Sequence, residues 1–289
     1  FLSIALHAQP CPNGIIFYSQ SDVDNFQPSY PGCTQIPGNM TIIGLPEDAN
    51  LNALSGITSI GGHLYIVQNK FAHLTGLNAL TSVGGNLTIE YNSLTDLAGL
   101  SNLASVGGVV IQYNNATLKN LKGLDALTYL PGNILIQSNP GLTDLEGLNH
   151  LPAVGGLTVG NNTVLTSLGG LEALTSVGTG GVAIVHNAAL TDLSGLNSLV
   201  SIDGGLVVSN NDSLTSLAGL NSLKSTGKTL SIRSNRSLES LSGLSALTSI
   251  GGDLNIDDNN ALLNISDLDG LASLGGYIGI DRNPVLKDL

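Results

Sequence analysis

The sequence predicts a parallel β-solenoid, and three observations carry that prediction. A six-residue unit, L-x-I-x-x-N in outline, ends at Asn69, Asn92, Asn114, Asn139, Asn162, Asn187, Asn211, Asn235, Asn259 and Asn283. These asparagines are spaced 22 to 25 residues apart, a period that points to stacked coils rather than to one conventional core. Between them apolar residues recur at every third position and then meet a glycine pair, as Leu238, Leu241, Leu244, Leu247 and Ile250 do before Gly251-Gly252.

Each part of the coil follows from residue spacing. In "LTIEYN", which ends at Asn92, Leu87 and Ile89 stand two apart and share one face of a strand, while Thr88 and Glu90 share the other. An irregular earlier copy is "MTIIGL", where Leu45 takes the place of the asparagine. Apolar residues three apart make neither a two-faced strand nor, with Gly243 among them, a good helix; they suit short extended pieces joined by turns. One such coil cannot bury its apolar side chains alone, so neighbours must pair their strands and share a core. The closing asparagine carries donors and an acceptor to the place where the strand turns inward and leaves backbone groups unpaired; one per coil makes a ladder. The pairs Gly61-Gly62, Gly84-Gly85, Gly107-Gly108, Gly204-Gly205, Gly251-Gly252 and Gly275-Gly276 supply either positive φ or close contact between coils. They are not a dinucleotide loop, because no G-x-G-x-x-G opens a helix after a strand.

The run L-x-I-x-x-N-x-x-L-x-x-L resembles a leucine-rich repeat. Its fuller form, "LTSIGGDLNIDDNNALLNI", is similar to the receptor L-domain, the solenoid repeat of insulin- and EGF-receptor ectodomains, and to L-domain-like arrays on secreted bacterial proteins. The resemblance covers about residues 38–289 and implies a right-handed solenoid of about 24 residues per coil, used for recognition outside the cell.

The chain divides into three expected segments. Residues 1–8 read as the tail of a signal peptide, apolar and with Ala8 where a secretory signal is cut. Residues 9–37 read as an N-terminal cap, in which Phe17, Tyr18, Phe26 and Tyr30 would cover the open end of the core and its unpaired strand edge. Cys11 and Cys33 lie in this segment; with an export signal beside them a disulfide is expected, two free thiols being the alternative. Residues 38–289 read as a solenoid of eleven coils that stops in mid-coil, which predicts a natural chain continuing past Leu289.

Composition narrows function. Nine Lys and Arg against 21 Asp and Glu give a net charge of −12, which disfavours nucleic acid and anionic membrane as partners. No apolar run is long enough to insert in a membrane as a helix. His63, His73, His150 and His186 fall at unlike positions in their coils, and neither a cysteine nucleophile nor H-E-x-x-H is present. No catalytic residue, cofactor or resident metal is therefore expected. Asp253, Asn255 and Asp257 alternate along one face with Asp281 a coil away; oxygen ligands suit calcium, but a solvated acidic edge is the preferred reading. Asn-x-Ser/Thr sequons at Asn39, Asn86, Asn115, Asn161, Asn211, Asn235 and Asn264 follow in part from the repeat, and Asn211 and Asn235 are ladder rungs.

The expected function is a non-catalytic recognition or adhesion module, secreted or on the cell surface and monomeric, that binds a protein or a glycan on its strand face. The alternatives are a spacer or stalk displaying a domain beyond residue 289 and, less favoured, a polysaccharide-acting β-helix enzyme. Only near the N-terminal end do aromatics and amides gather on the outward positions: Tyr65, Gln68, Glu90, Tyr91, Gln112, Tyr113 and Gln137. Tyrosines one strand apart could stack on a sugar ring or anchor a protein, with Glu90 and the glutamines directing hydrogen bonds. The plainer alternative is a cross-strand tyrosine pair that only steadies the sheet.

Overall fold

The L-x-I-x unit is a strand throughout, from Met40–Ile43 and Leu64–Val67 to Leu254–Asp257 and Ile278–Asp281. Successive units pair in parallel and in register, Leu64 beside Leu87 and Leu87 beside Val109. The result is a parallel β-solenoid of about eleven turns with about 24 residues per coil. The computed structural model describes residues 10–287, so the expected signal segment, residues 1–8, lies outside the described residues. Along Met40–Ile43, Leu64–Val67, Leu206–Ser209 and Leu254–Asp257 the first and third side chains are buried and the second and fourth are half-buried, the alternation that a period of two demands. Leu64, Ile66, Leu87 and Ile89 are fully buried, and residues like them, coil after coil, make one continuous core.

The leucine-rich return path is a chain of tight turns. Leu77 N–H donates to Leu74 O and Leu80 N–H to Leu77 O, and Leu220 and Leu223 repeat the pattern. Bonds between residues three apart bring every third side chain onto one side, which explains the leucine interval. Asn52–Leu54, Ala98–Leu100 and Ser266–Leu268 tighten into 3-10 helices. Just before the corner the path becomes extended, and pieces such as Ser59–Ile60, Ser201–Ile202 and Ser249–Ile250 form a second column of short parallel strands.

The structure separates the two roles expected of glycine. The corner glycines serve close contact: a Cβ added to Gly84 would sit 2.2 Å from the carbonyl oxygen of Gly61 in the preceding coil. Positive φ falls mainly elsewhere, at the glycine inside the leucine run, for example Gly219 with φ 111°; Gly181, with φ 75°, is a corner exception.

At the N-terminal end Ile15–Phe17 pairs in parallel with the strand beginning at Met40, so this segment extends the sheet as well as covering it. Ser19 caps the helix Gln20–Asp24: its hydroxyl accepts from Asp22 N–H, and the Asp22 carboxylate accepts from Ser19 N–H. The Asp22 carboxylate accepts from the Ser19 hydroxyl above all, and also from Tyr18 N–H and Ser19 N–H, which holds it below the usual carboxylate range. Phe17 and Phe26 meet edge to face at 5.8 Å between ring centroids, with Tyr30 tilted against Phe26 at 5.7 Å. Tyr18 departs from the expected covering set and is 66% exposed. It follows Phe17 along an extended backbone, so alternation turns it to solvent.

Cys11 and Cys33 form a disulfide with Cα atoms 5.3 Å apart. Replacing both with serine should cost about 3 kcal/mol, through the loop entropy the bond removes from the unfolded chain. Urea unfolding with and without reductant measures this; identical midpoints would show that the bond contributes nothing.

Candidate functional site

The outer face of the main sheet rests on the asparagine ladder. Asn92, Asn139, Asn162, Asn187, Asn211, Asn235 and Asn259 are fully buried, Asn69 and Asn114 are 1% exposed, and Asn283 is half-buried. Each side chain reaches back to the preceding coil. Asn187 Oδ1 accepts from Asn162 N–H at 3.1 Å and from Asn162 Nδ2 at 3.4 Å, and Asn187 Nδ2 donates to Val159 O at 3.0 Å. The same three bonds recur from Asn92 to Asn259, so the strand ends are held at fixed spacing.

The residue before each asparagine takes an unusual backbone conformation. Gln68, Tyr91, Tyr113, Ser138, Asn161, His186, Asn210, Ser234, Asp258 and Arg282 all lie between φ 53° and 58°. A left-handed residue other than glycine, asparagine or aspartate costs about 1–2 kcal/mol, and the ladder's bonds hold the chain there regardless. The period-two pattern of the strand does not predict this conformation. Asn161, Asn210 and Asp258, all tolerant of that region, were the available signal.

The structure brings most of the expected binding residues together. Tyr91 and Tyr113 stack with ring centroids 4.9 Å apart and planes within 8°, and they are 51% and 41% exposed. Beside them Gln112 Nε2 donates to Glu90 Oε1 and Gln137 Nε2 donates to Gln112 Oε1, each at 2.7 Å. This carboxylate–amide chain points every donor toward Glu90 and leaves Gln137 Oε1 without a donor among the described residues. Gln68 occupies the equivalent of Tyr91 one coil earlier. Tyr65 stands apart: it is the second residue of its strand, pairs with Thr41 and Thr88, and packs against His63 at 5.6 Å.

Other polar groups are engaged in holding coils together. His63 Nδ1 accepts from Asn86 N–H at 2.9 Å, and His73 Nδ1 lies 2.9 Å from Asp96 Oδ2. Asp253 Oδ1 accepts from Tyr277 N–H at 2.8 Å, and Asp257 pairs with Arg233 at 3.2 Å, so two members of the acidic trio already have protein partners. Among the described residues no group of three or more His, Cys, Asp or Glu is placed to hold a metal. Arg282 donates to both carboxylate oxygens of Asp258, at 2.6 and 2.9 Å, and holds that carboxyl below the usual range. The arginines of the last coils are thus paired, whereas the tyrosine cluster carries Glu90 as its one charged member.

Among the described residues no helix is long and apolar enough to cross a membrane. No family model matches the sequence, and no curated protein matches it. Among solved structures 18 chains match. One is the crystal structure of a TLR13–ssRNA13 complex, 16% identical over 83% of this chain and 58% of that chain, with a TM-score of 0.18. This chain therefore spans less than two thirds of the length of that one, and a likeness of that size says nothing about what this chain binds.

Proposed function

We propose that the chain is a non-catalytic extracellular recognition module whose strand face binds a neutral glycan. The Tyr91–Tyr113 stack carries the reading. Both rings sit on backbone that favours asparagine or glycine, and both remain about half exposed, so burial offers little return for the choice of tyrosine. Stacking occupies one face of each ring. The other face of Tyr113 looks along the solenoid axis to the next coil, where the small Ser138 leaves room. A pyranose ring laid on that face would find Gln137 Oε1 ready to accept a hydroxyl hydrogen. The net charge of −12 disfavours anionic sugars, and the Cys11–Cys33 bond supports an oxidising, extracellular setting.

The test is Tyr91→Asn combined with Tyr113→Asn, which removes both rings and keeps residues that tolerate left-handed backbone. On a glycan array the pair of substitutions should abolish binding, while the melting temperature stays within about 3 °C. A lowered melt with binding intact would assign the tyrosines to the scaffold, and an array on which the unaltered chain binds no glycan would overturn the glycan reading.

A further inference from the structure

A single break in the repeat points to a second binding site. At the entry to the short strand column each coil donates a backbone N–H to its predecessor: Thr81 to Thr58 O, Ala104 to Thr81 O, Thr128 to Ala104 O, Thr175 to Pro152 O and Val200 to Thr175 O. The bond that would join Thr128 to the next coil is absent. Pro152 has no N–H, and Thr128 O accepts no hydrogen bond among the described residues.

Side chains depart from the repeat at the same place. From Ser59 onward the residue opening each short strand is serine in every coil but two, where it is Tyr129 and Ala153. From Gly61 onward the first corner residue is glycine in every coil but two, where it is Pro131 and Asp203. All of these line one groove of about 360 Å³, with Pro152 and Val177 adding apolar wall. Tyr129 is 63% exposed above it, and Asp203 makes no ion pair among the described residues. In a molecule built by repetition, departures scattered by drift would not converge on one cavity.

We infer that this groove binds an extended peptide segment carrying a lysine or arginine. Coils about 4.8 Å apart place Asp203 about 14 Å along the axis from Tyr129, the span of about four extended residues. The Thr128 carbonyl accepts a peptide N–H in place of the one Pro152 lacks. Tyr129, Pro131, Pro152 and Ala153 cover aliphatic stem and proline rings, and the basic head group pairs with Asp203. Charge complementarity selects this occupant: the groove holds a carboxylate with no cation beside it, in a chain of net charge −12. The site is separate from the strand face, so it stands or falls independently of glycan binding.

The experiment is selection from a displayed library of random dodecapeptides on the full chain. A parallel selection uses Tyr129→Ser with Asp203→Gly, substitutions that restore what neighbouring coils carry and so should melt as the unaltered chain does. Recovered peptides should carry Lys or Arg beside aliphatic residues or proline and be missing from the double variant's pool. A labelled synthetic copy of the leading peptide should bind at least about tenfold more weakly to Asp203→Gly and weaken as salt rises. An empty selection, recovered peptides without a basic residue, or equal binding to the double variant would each overturn the inference.

Discussion

Asn187→Ala should lower the unfolding free energy by about 3–5 kcal/mol, because it leaves several buried polar groups without partners at once. Asn162 N–H and one Asn162 Nδ2 hydrogen lose their acceptor, and Val159 O loses its side-chain donor. Asn162 is fully buried, so water cannot replace what is lost. The matching substitution at the last rung, Asn283→Ala, removes a half-buried residue and should cost about 1 kcal/mol. Urea unfolding of the two variants measures the difference. Equal costs would mean that burial along the ladder does not govern its strength.

Gly219→Ala should be as damaging for a different reason. Its φ of 111° lies outside what an L side chain adopts comfortably, and the new Cβ would fall 2.1 Å from Leu193 O in the preceding coil. Backbone strain and the clash together should cost about 3–5 kcal/mol, since the Cβ is fixed to one stacked main chain and the oxygen belongs to the next, and neither can step aside. Gly32 isolates the first component: φ is 76° there and nothing lies within 4 Å of an added Cβ. Gly32→Ala should therefore cost only about 1–2 kcal/mol. Thermal unfolding of both compares strain alone with strain plus collision, and similar melting temperatures would remove the collision from the account.

Much of the architecture is legible in the residues because it rests on spacing. Leu87 and Ile89 two apart give the strand, leucines three apart give the turns, and the asparagine interval gives the coil. The stack of Tyr91 on Tyr113 is legible for the same reason, since residues at one position of adjacent coils become neighbours. What escaped depends on backbone angle or on a missing group. Tyr91 and Arg282 sit in left-handed conformation against their own preference, held by asparagine bonds that no local propensity encodes. Tyr65 lies on the same sheet as Tyr91 but three positions earlier in its unit, far enough along the strand to join His63 instead. The groove beside Tyr129 is harder still, because one of its marks is a hydrogen bond that Pro152 cannot donate.

The backward reach of the ladder gives the molecule a direction in time. Asn92 Oδ1 accepts from Asn69 N–H and Asn114 Oδ1 from Asn92 N–H, so the backbone N–H at each rung waits for the following coil. A chain emerging from its N-terminus therefore locks one coil behind its growing tip, with the disulfide-closed start as the first template. Assembly of this kind resembles the closing of a zip fastener more than the collapse of a globule. Interruption at any point would leave the finished part sound and only the newest coil unlatched.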